Sequence, residues 1–381
     1  MKAKMRITIA QGAFFPVPPV EGGAVERAWF GLGKAFAAAG HEVVHLSKAD
    51  ARFPVEESIG GVRHRRVPGF ATPRSLFLLK ALDLLYSLRL LRHLPEADIL
   101  VTNTFWLPFL VRWRKRGALY VHVGRYPKGQ LRLYRHAARW QTVSAPIGQA
   151  IRDQEPGRER LVSVIPYPLD EESFAGDAAS PVPAREKVVL YVGRIHPEKG
   201  IGLLLDGWRR AALDRQGWRL RIVGPWKTGQ GGGGEDYAHV LREKGVEGVE
   251  WVGPVFERAA LAAAFRHASL FVYPSLAEQG ETFGLAPLEA MAQGCPALVS
   301  HLDCFGDFIE EGVTGWRFDH RVGDPAGMLA AALQRIASDE AERQAVALRA
   351  RARADDFRIE RIARLYLADF ERALTPPEVR S

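Results

Sequence analysis

Cysteine is scarce in this chain of 381 residues: only Cys295 and Cys304 occur, nine positions apart. Two cysteines cannot build a disulfide framework, which points to a reducing compartment. Without a His/Cys cluster around them they also make a poor metal site. Asparagine occurs once, at Asn103, while arginine and alanine abound. That balance fits a GC-rich genome and is compatible with a warm habitat. No stretch reaches the roughly 18 uncharged apolar residues needed to cross a bilayer. After "MKAKMR" the run "ITIA" is too short for the apolar region of a secretory signal and reads as a first buried strand. A cytoplasmic protein is therefore expected. Acidic residues are scarce in one region. Between Arg63 and Trp140 stand 16 Lys/Arg against three acids, a net of +13, which leaves the rest of the chain at −5 out of an overall +8.

What is present is length and a regular alternation. The chain is too long for one ordinary core, and its 47% hydrophobic and 25% charged residues describe a globular protein of two or three domains. Short apolar runs alternate with longer amphipathic stretches, the pattern of βαβ units and parallel sheets. "MRITIAQ" (5–11), "HEVVHLS", "ADILVTN" (97–103), "ALYVHVG" (118–124) and "WQTVSA" (140–145) read as strands, and "AVERAWFGLGKAFAAAG" (24–40) as a helix. The stretch 171–187, polar and rich in small residues and proline, reads as a linker. A second series follows: "VVLYVG" (188–193), "WRLRIVG" (218–224), "VEWVG" (249–253), "LFVYPS" (270–275) and "CPALVS" (295–300). The fold class expected is α/β, two doubly wound Rossmann-like domains spanning 1–175 and 185–355. Ligands of such sheets bind at the carboxyl ends of the strands, with a cleft between domains as the default site.

Two glycine-rich stretches are discounted. "GQGGGGED" (229–236) lacks the Walker spacing and a nearby Lys-Ser/Thr, and reads as a floppy surface loop. "GLGKAFAAAG" (31–40) lies inside a helix rather than at a strand-to-helix turn. Other residues carry more. Arg194 and Lys199 in "VVLYVGRIHPEKG" follow a strand end, where two cations suit a diphosphate, although solvated surface cations read the same way. In "EQGETFGLAPLEAMAQG" (278–294), Phe283, Gly284 and Leu285 can turn backbone N–H groups toward a phosphate or a sugar hydroxyl. Glu281 and Glu289 flank that turn. Either they stabilise a helix N-terminus or they accept hydrogen bonds from the vicinal hydroxyls of a ribose and a hexose. A diphosphate clamp beside two hydroxyl-binding acids describes a site for a nucleotide-sugar.

"VGRIHPEKG" and, about 80 residues later, "PSLAEQGETFGLAPLEAMAQGCPALVS" resemble the retaining glycosyltransferases of family 4, which have the GT-B fold, two such domains facing a cleft. Glu281 and Glu289 match the family's E-x7-E motif. Gly22 and Gly23 in "EGGAVERAWFGLGKAFAAAGHEV" resemble its diglycine loop near the donor diphosphate. "VIPYPLDEESF" (164–174) resembles the stretch closing the first domain, and "EEGVTGWRFD" (310–319) a late signature of the second. The resemblance implies that the first domain binds acceptor and the second donor, and that 356–381 returns to pack on the first. It implies that Arg194 and Lys199 hold the diphosphate, that Glu281 meets the transferred sugar, and that Glu289 meets the ribose. The Phe283–Leu285 backbone would touch sugar and phosphate, and His122 would stand beside the reacting sugar. Retention would follow from same-face attack, with the leaving phosphate assisting deprotonation of the acceptor. No metal and no cofactor are expected, since cations can stabilise the departing diphosphate. The family commonly has Asn where Tyr167 stands here, and the stretch after His122 reads "VGRYPKGQ". These departures bear on the acceptor.

The expected activity is transfer from a nucleotide-sugar, such as a UDP- or GDP-sugar, to a glycan or lipid-linked acceptor in cell-surface polysaccharide or glycolipid synthesis. "RSLFLLKALDLLYSLRLLRHL" (74–94) is apolar with basic interruptions. It reads as a core helix with a cationic outer face or as a segment lying on an anionic membrane, which would put the protein at the inner face of the cytoplasmic membrane. No recognition motif for nucleic acid accompanies the charge. Two rivals stand beside this reading: a nucleotide-sugar epimerase of the same fold, and a non-catalytic basic protein binding membranes or polyanions.

Overall fold

A computed structural model describes residues 4–20, 23–73, 75–111, 116–174 and 185–375. The chain divides into two compact units, Met1–Pro168 with Ile359–Ser381, and Leu169–Arg358. Each is built around its own twisted, mostly parallel sheet.

The first unit carries eight strands: β1 (Arg6–Ala10), β2 (Glu42–Lys48), β3 (Glu56–Ile59), β4 (Val62–Val67), β5 (Ile99–Thr102), β6 (Ala118–Val123), β7 (Arg139–Thr142) and β8 (Val162–Val164). Their order is β3-β4-β2-β1-β5-β6-β7-β8, and only the β3–β4 pair is antiparallel among the described residues. The second unit has six: β9 (Glu186–Val192), β10 (Arg219–Val223), β11 (Val249–Gly253), β12 (Ala268–Tyr273), β13 (Ala297–Ser300) and β14 (Trp316–Phe318), in the order β11-β10-β9-β12-β13-β14. Central strands such as "ILVT" and "ASLFVY" are buried along their whole length. Continuous apolar runs of this kind suit parallel sheets covered by helices on both faces. Both cysteines are buried and free.

The C-terminal helix Ile359–Leu374 belongs to the first unit's core. Ile362, Ala363, Tyr366, Leu367 and Phe370 recur at helical spacing and pack with Trp29, Leu32 and Phe36 of the helix Ala24–Ala38. A Cβ on Gly31 would lie 2.4 Å from Ile359 Cδ1, so glycine lets the two helices approach. Asp369 is buried in that contact, accepting from the Tyr120 hydroxyl at 2.8 Å and pairing with Arg139 at 3.3 Å.

The boundaries depart from the sequence reading by a few residues. Residues 169–174, expected in the first domain, belong to the second unit, as do 356–358. The reason is local bonding: the Leu169 amide donates to the Phe357 carbonyl (2.7 Å), and Arg258 binds Asp170 (2.5 Å). Of the expected linker, 171–174 forms a short 3-10 turn (Glu171–Phe174), whereas 175–184 lies outside the described residues. At the other side of it, Arg185 donates to the carbonyls of Ala268 (2.6 Å) and Gly294 (2.7 Å), so it ties down the loops that follow two helices.

Candidate active site

The second sheet reverses its order between β9 and β12, neighbouring parallel strands. At such a switch point the loops after the two strands diverge and leave a crevice for ligand. The loop after β9 holds Arg194 and Lys199; the loop after β12 leads to Glu281. Lys199 Nζ donates to Glu281 Oε2 at 2.7 Å, across 82 positions of sequence. Both side chains are nearly buried, 7% and 11% exposed. Gly200, at φ 69°, makes the loops meet: a Cβ there would lie 2.0 Å from the Pro274 carbonyl oxygen. Beneath the pair, Tyr191 and Tyr273 stack at 5.8 Å and 9°. Lys199 Nζ stands 5.5 Å from the Tyr273 ring centre. Burial, and then the Glu281 carboxylate, push both phenols well above their usual range, so they form a neutral floor.

Arg194 is the more open cation, 43% exposed. Its guanidinium donates to Glu198 Oε1 (2.7 Å) and to the Gly231 carbonyl (2.6 Å). That carbonyl belongs to the glycine-rich loop, which the sequence reading treats as floppy. Instead its backbone is pinned: the amides of Gly232, Gly233 and Gly234 donate to the carbonyls of Lys227, Ile195 and Trp226. A Cβ on Gly232 would lie 2.2 Å from the Trp226 carbonyl oxygen, so side chains are excluded by packing. Trp226, Lys227, Gln230 and Pro254 line a shallow recess beside this loop.

The helix Leu285–Ala292 starts at Gly284, whose φ of 91° suits glycine and whose Cβ would lie 2.4 Å from Phe305. Phe283 is buried against Phe308 and Phe357, with ring centres 5.4 and 5.9 Å away. It anchors the turn by packing. No side chain caps this helix, and its first turn carries no acid. The helix-capping reading of the two glutamates therefore fails: Glu281 pairs with Lys199, and Glu289 faces Arg258, whose Nη1 lies 3.5 Å from Glu289 Oε1. Arg258 is the residue that sequence reasoning missed; nothing in "VFERAALAAAF" marks it.

The remaining site residues lie in the first unit. Gly22 is outside the described residues. Gly23, at φ 94°, precedes the helix Ala24–Ala38, and a Cβ on it would collide with Glu26 Oε2. Burial raises the Glu26 carboxyl, opposed by the helix backbone and by Arg125. His122 stands one residue before the end of β6, buried, with Trp29 edge-on at 5.6 Å. Gln141 donates from Nε2 to the carbonyls of Thr142 and Ile165, which leaves its Oε1 to accept from His122 Nδ1 at 2.6 Å. The Nδ1–H tautomer follows, and Nε2 accepts from the Tyr167 hydroxyl at 3.2 Å. Burial lowers the imidazole to about 4, against the raising effect of Gln141, so it is neutral near pH 7. Tyr167, the position of the family departure, is thus a direct partner of His122. Among the described residues no group of three or more His, Cys, Asp or Glu could hold a metal ion, and no helix is long and apolar enough to cross a membrane.

Comparison with known proteins bears on both halves. Residues 186–339 match the profile described as Glycosyl transferases group 1, and residues 23–168 that of the Glycosyl transferase 4-like domain. A D-inositol 3-phosphate glycosyltransferase of Kineococcus radiotolerans is 33% identical over 236 residues, covering 56% of this chain and 52% of its own. A phosphatidyl-myo-inositol mannosyltransferase of Mycobacterium tuberculosis is 34% identical over 174 residues, 44% of this chain and 42% of its own. The chain thus spans about half the length of the curated relatives it matches. A sucrose-phosphate synthase from Thermosynechococcus elongatus superposes with a TM-score of 0.78 at 22% identity, covering 97% of this chain and 99% of its own. That likeness shows the fold, the GT-B type.

Proposed function

Because the chain belongs to the group 1, family 4 glycosyltransferases, we propose that it moves a sugar from a nucleoside diphosphate donor to a glycan or lipid-linked acceptor, with retention and without a metal. The observation that carries this is the Lys199–Glu281 pair at the switch point of the second sheet, one turn from the bare helix start at Gly284. Lys199 offers three N–H donors. One engages Glu281, and two remain to meet a diphosphate while Glu281 accepts from a sugar hydroxyl. Arg194 adds a second cation, and the Phe283–Leu285 backbone adds N–H groups. Glu289 takes the ribose hydroxyls, and His122, neutral, accepts from a hydroxyl of the reacting sugar in place of Tyr167.

In the transfer, the bond from the anomeric carbon to the diphosphate oxygen breaks as the acceptor hydroxyl attacks from the same face. The hydroxyl proton passes to the departing phosphate. Charge grows on that phosphate, where fixed cations are worth most.

The test is nucleoside diphosphate release from UDP-, GDP- and ADP-sugars, with and without inositol phosphate, phosphatidylinositol and glycan acceptors, in excess EDTA. Release with at least one donor, stimulated by acceptor and unaffected by EDTA, is expected. Activity that disappears with EDTA and returns with Mg²⁺ or Mn²⁺ would refute the metal-free clamp.

A lipid-linked acceptor agrees with the helix Leu76–His93. Its first residues Leu76 and Phe77 are 77% and 83% exposed, and Leu85 and Leu88 follow on the exposed side. Lys80 and Arg92 are exposed on the same helix. We propose that this end dips into anionic lipid. Co-sedimentation with phosphatidylserine vesicles, lost on Phe77→Ser and absent with phosphatidylcholine alone, is the expected result; equal recovery of the variant would refute it.

A further inference from the structure

Arg258 opens the helix Arg258–His267, and three carboxylates converge on it. Its Nη2 donates to Asp170 Oδ1 at 2.5 Å and to Ser173 Oγ at 3.1 Å, its Nε to Glu172 Oε2 at 3.2 Å, and its Nη1 to Glu289 Oε1 at 3.5 Å. Glu289 is the most buried of the three acids, at 15% exposure, against 32% for Asp170 and 67% for Glu172. Asp170 Oδ1 also accepts from the Ser173 amide (2.9 Å) and hydroxyl (2.7 Å), and the Ser173 carbonyl accepts from Gln293 Nε2 (2.7 Å). Gln293 follows the helix that carries Glu289. The contacts therefore close a ring: Arg258, Asp170, Ser173, Gln293, the helix Leu285–Ala292, Glu289 and Arg258 again.

We propose that Arg258 is a positioning residue for Glu289: it holds the carboxylate oriented for ligand, and it fastens that orientation to the segment Leu169–Phe174 that opens the second unit. This rests on the reading that Glu289 holds the donor ribose. The physics is local. With Arg258 present, one cation offsets part of three negative charges. Without it, Glu289 faces Asp170 and Glu172 across a partly buried space, where like charges repel and turn the carboxylate from its place. The cations at the far end of the same helix, Arg266 and His267, cannot substitute, since a helix of ten residues places them about 13 Å away. A reoriented Glu289 would be a poorer partner for two ribose hydroxyls. The same segment also fixes the other side of the turn, since Leu169 bonds the Phe357 carbonyl and Phe357 packs on Phe283. Ribose grip and the opening of the unit are thus one bonded assembly.

The experiment is calorimetric titration of UDP, GDP and ADP, using whichever binds. The proteins are the wild type, Arg258→Gln, Arg258→Lys, Glu289→Gln and the double variant Arg258→Gln/Glu289→Gln. Glu289→Gln should weaken binding about ten- to a hundredfold. Arg258→Gln, acting only through Glu289, should weaken it less, about fivefold. The double variant should bind no worse than Glu289→Gln alone. Arg258→Lys keeps the charge and loses the fork, so a smaller loss of about threefold is expected; it carries the test if Arg258→Gln does not fold. If Glu289→Gln leaves binding unchanged, the ribose reading fails and takes this inference with it. If Glu289→Gln weakens binding while the Arg258 variants do not, or their losses add in full in the double variant, the inference alone is overturned.

Discussion

Lys199 Nζ and Glu281 Oε2 lie 2.7 Å apart, nearly buried, and join loops that follow neighbouring strands. Arg194, half-exposed, shares its guanidinium between Glu198 and the Gly231 carbonyl. The two cations should therefore behave differently on removal. Lys199→Ala leaves Glu281 uncompensated at low exposure and is expected to cost about 3 kcal/mol of stability. Arg194→Ala should cost under about 1 kcal/mol. Both should lower turnover by roughly 10²-fold or more. Thermal melts with donor turnover check this; near-normal turnover in the double variant would remove both from the donor site.

Acid should destabilise the first unit through its histidines. His45 and His64 stack at 5.1 Å and 28°, buried, with no hydrogen-bond partner on either ring. Burial, then each one's charged neighbours, lowers both: His45 well below 6.5, with His64 and Arg66 contributing, and His64 to about 4, with Arg66 contributing and Glu57 opposing. His122 is lowered to about 4 as well. For His64 and His122 the unfolded chain takes up the proton near pH 6.5 and the folded chain only near 4, so stability held above 6.5 is lost as pH falls between the two, and His45 acts in the same direction. The loss is on the order of 3 kcal/mol per fully depressed group. Urea midpoints across that window check it, and a profile flat down to pH 4 would contradict it.

Deleting the helix Ile359–Leu374 removes the partners of Trp29, Leu32 and Phe36 and leaves Tyr120 without Asp369. A chain ending at Asp355 is expected to expose a broad apolar face and to aggregate. Size-exclusion chromatography of the expressed fragment tests this; a soluble, fully active product would contradict it.

How much of this could be read beforehand depends on range. "VEWVG" is β11 residue for residue, and the other nine strands read from the sequence fall within a few residues of their observed bounds, because strands buried on both faces are continuous apolar runs. The hairpin β3–β4 escaped notice, since "VRHRRV" carries its arginines and histidine in the pattern of a polar loop. Within the site, Gly284, Phe283 and Glu289 are local to one motif and were legible together. The pairing of Lys199 with Glu281 depends on strand order. Arg258 and Asp170 lie 88 positions apart, and only the fold brings them to Glu289.

The central claim, that Glu281 and Glu289 grip different parts of one donor, is tested most directly by titrating Glu281→Gln and Glu289→Gln with a nucleoside diphosphate and with the intact nucleotide-sugar. Glu289→Gln should weaken both ligands about ten- to a hundredfold, because both carry the ribose. Glu281→Gln should leave the nucleoside diphosphate bound as in the wild type and weaken only the sugar donor, with a matching fall in turnover. Equal, small effects of both substitutions on both ligands would contradict the account.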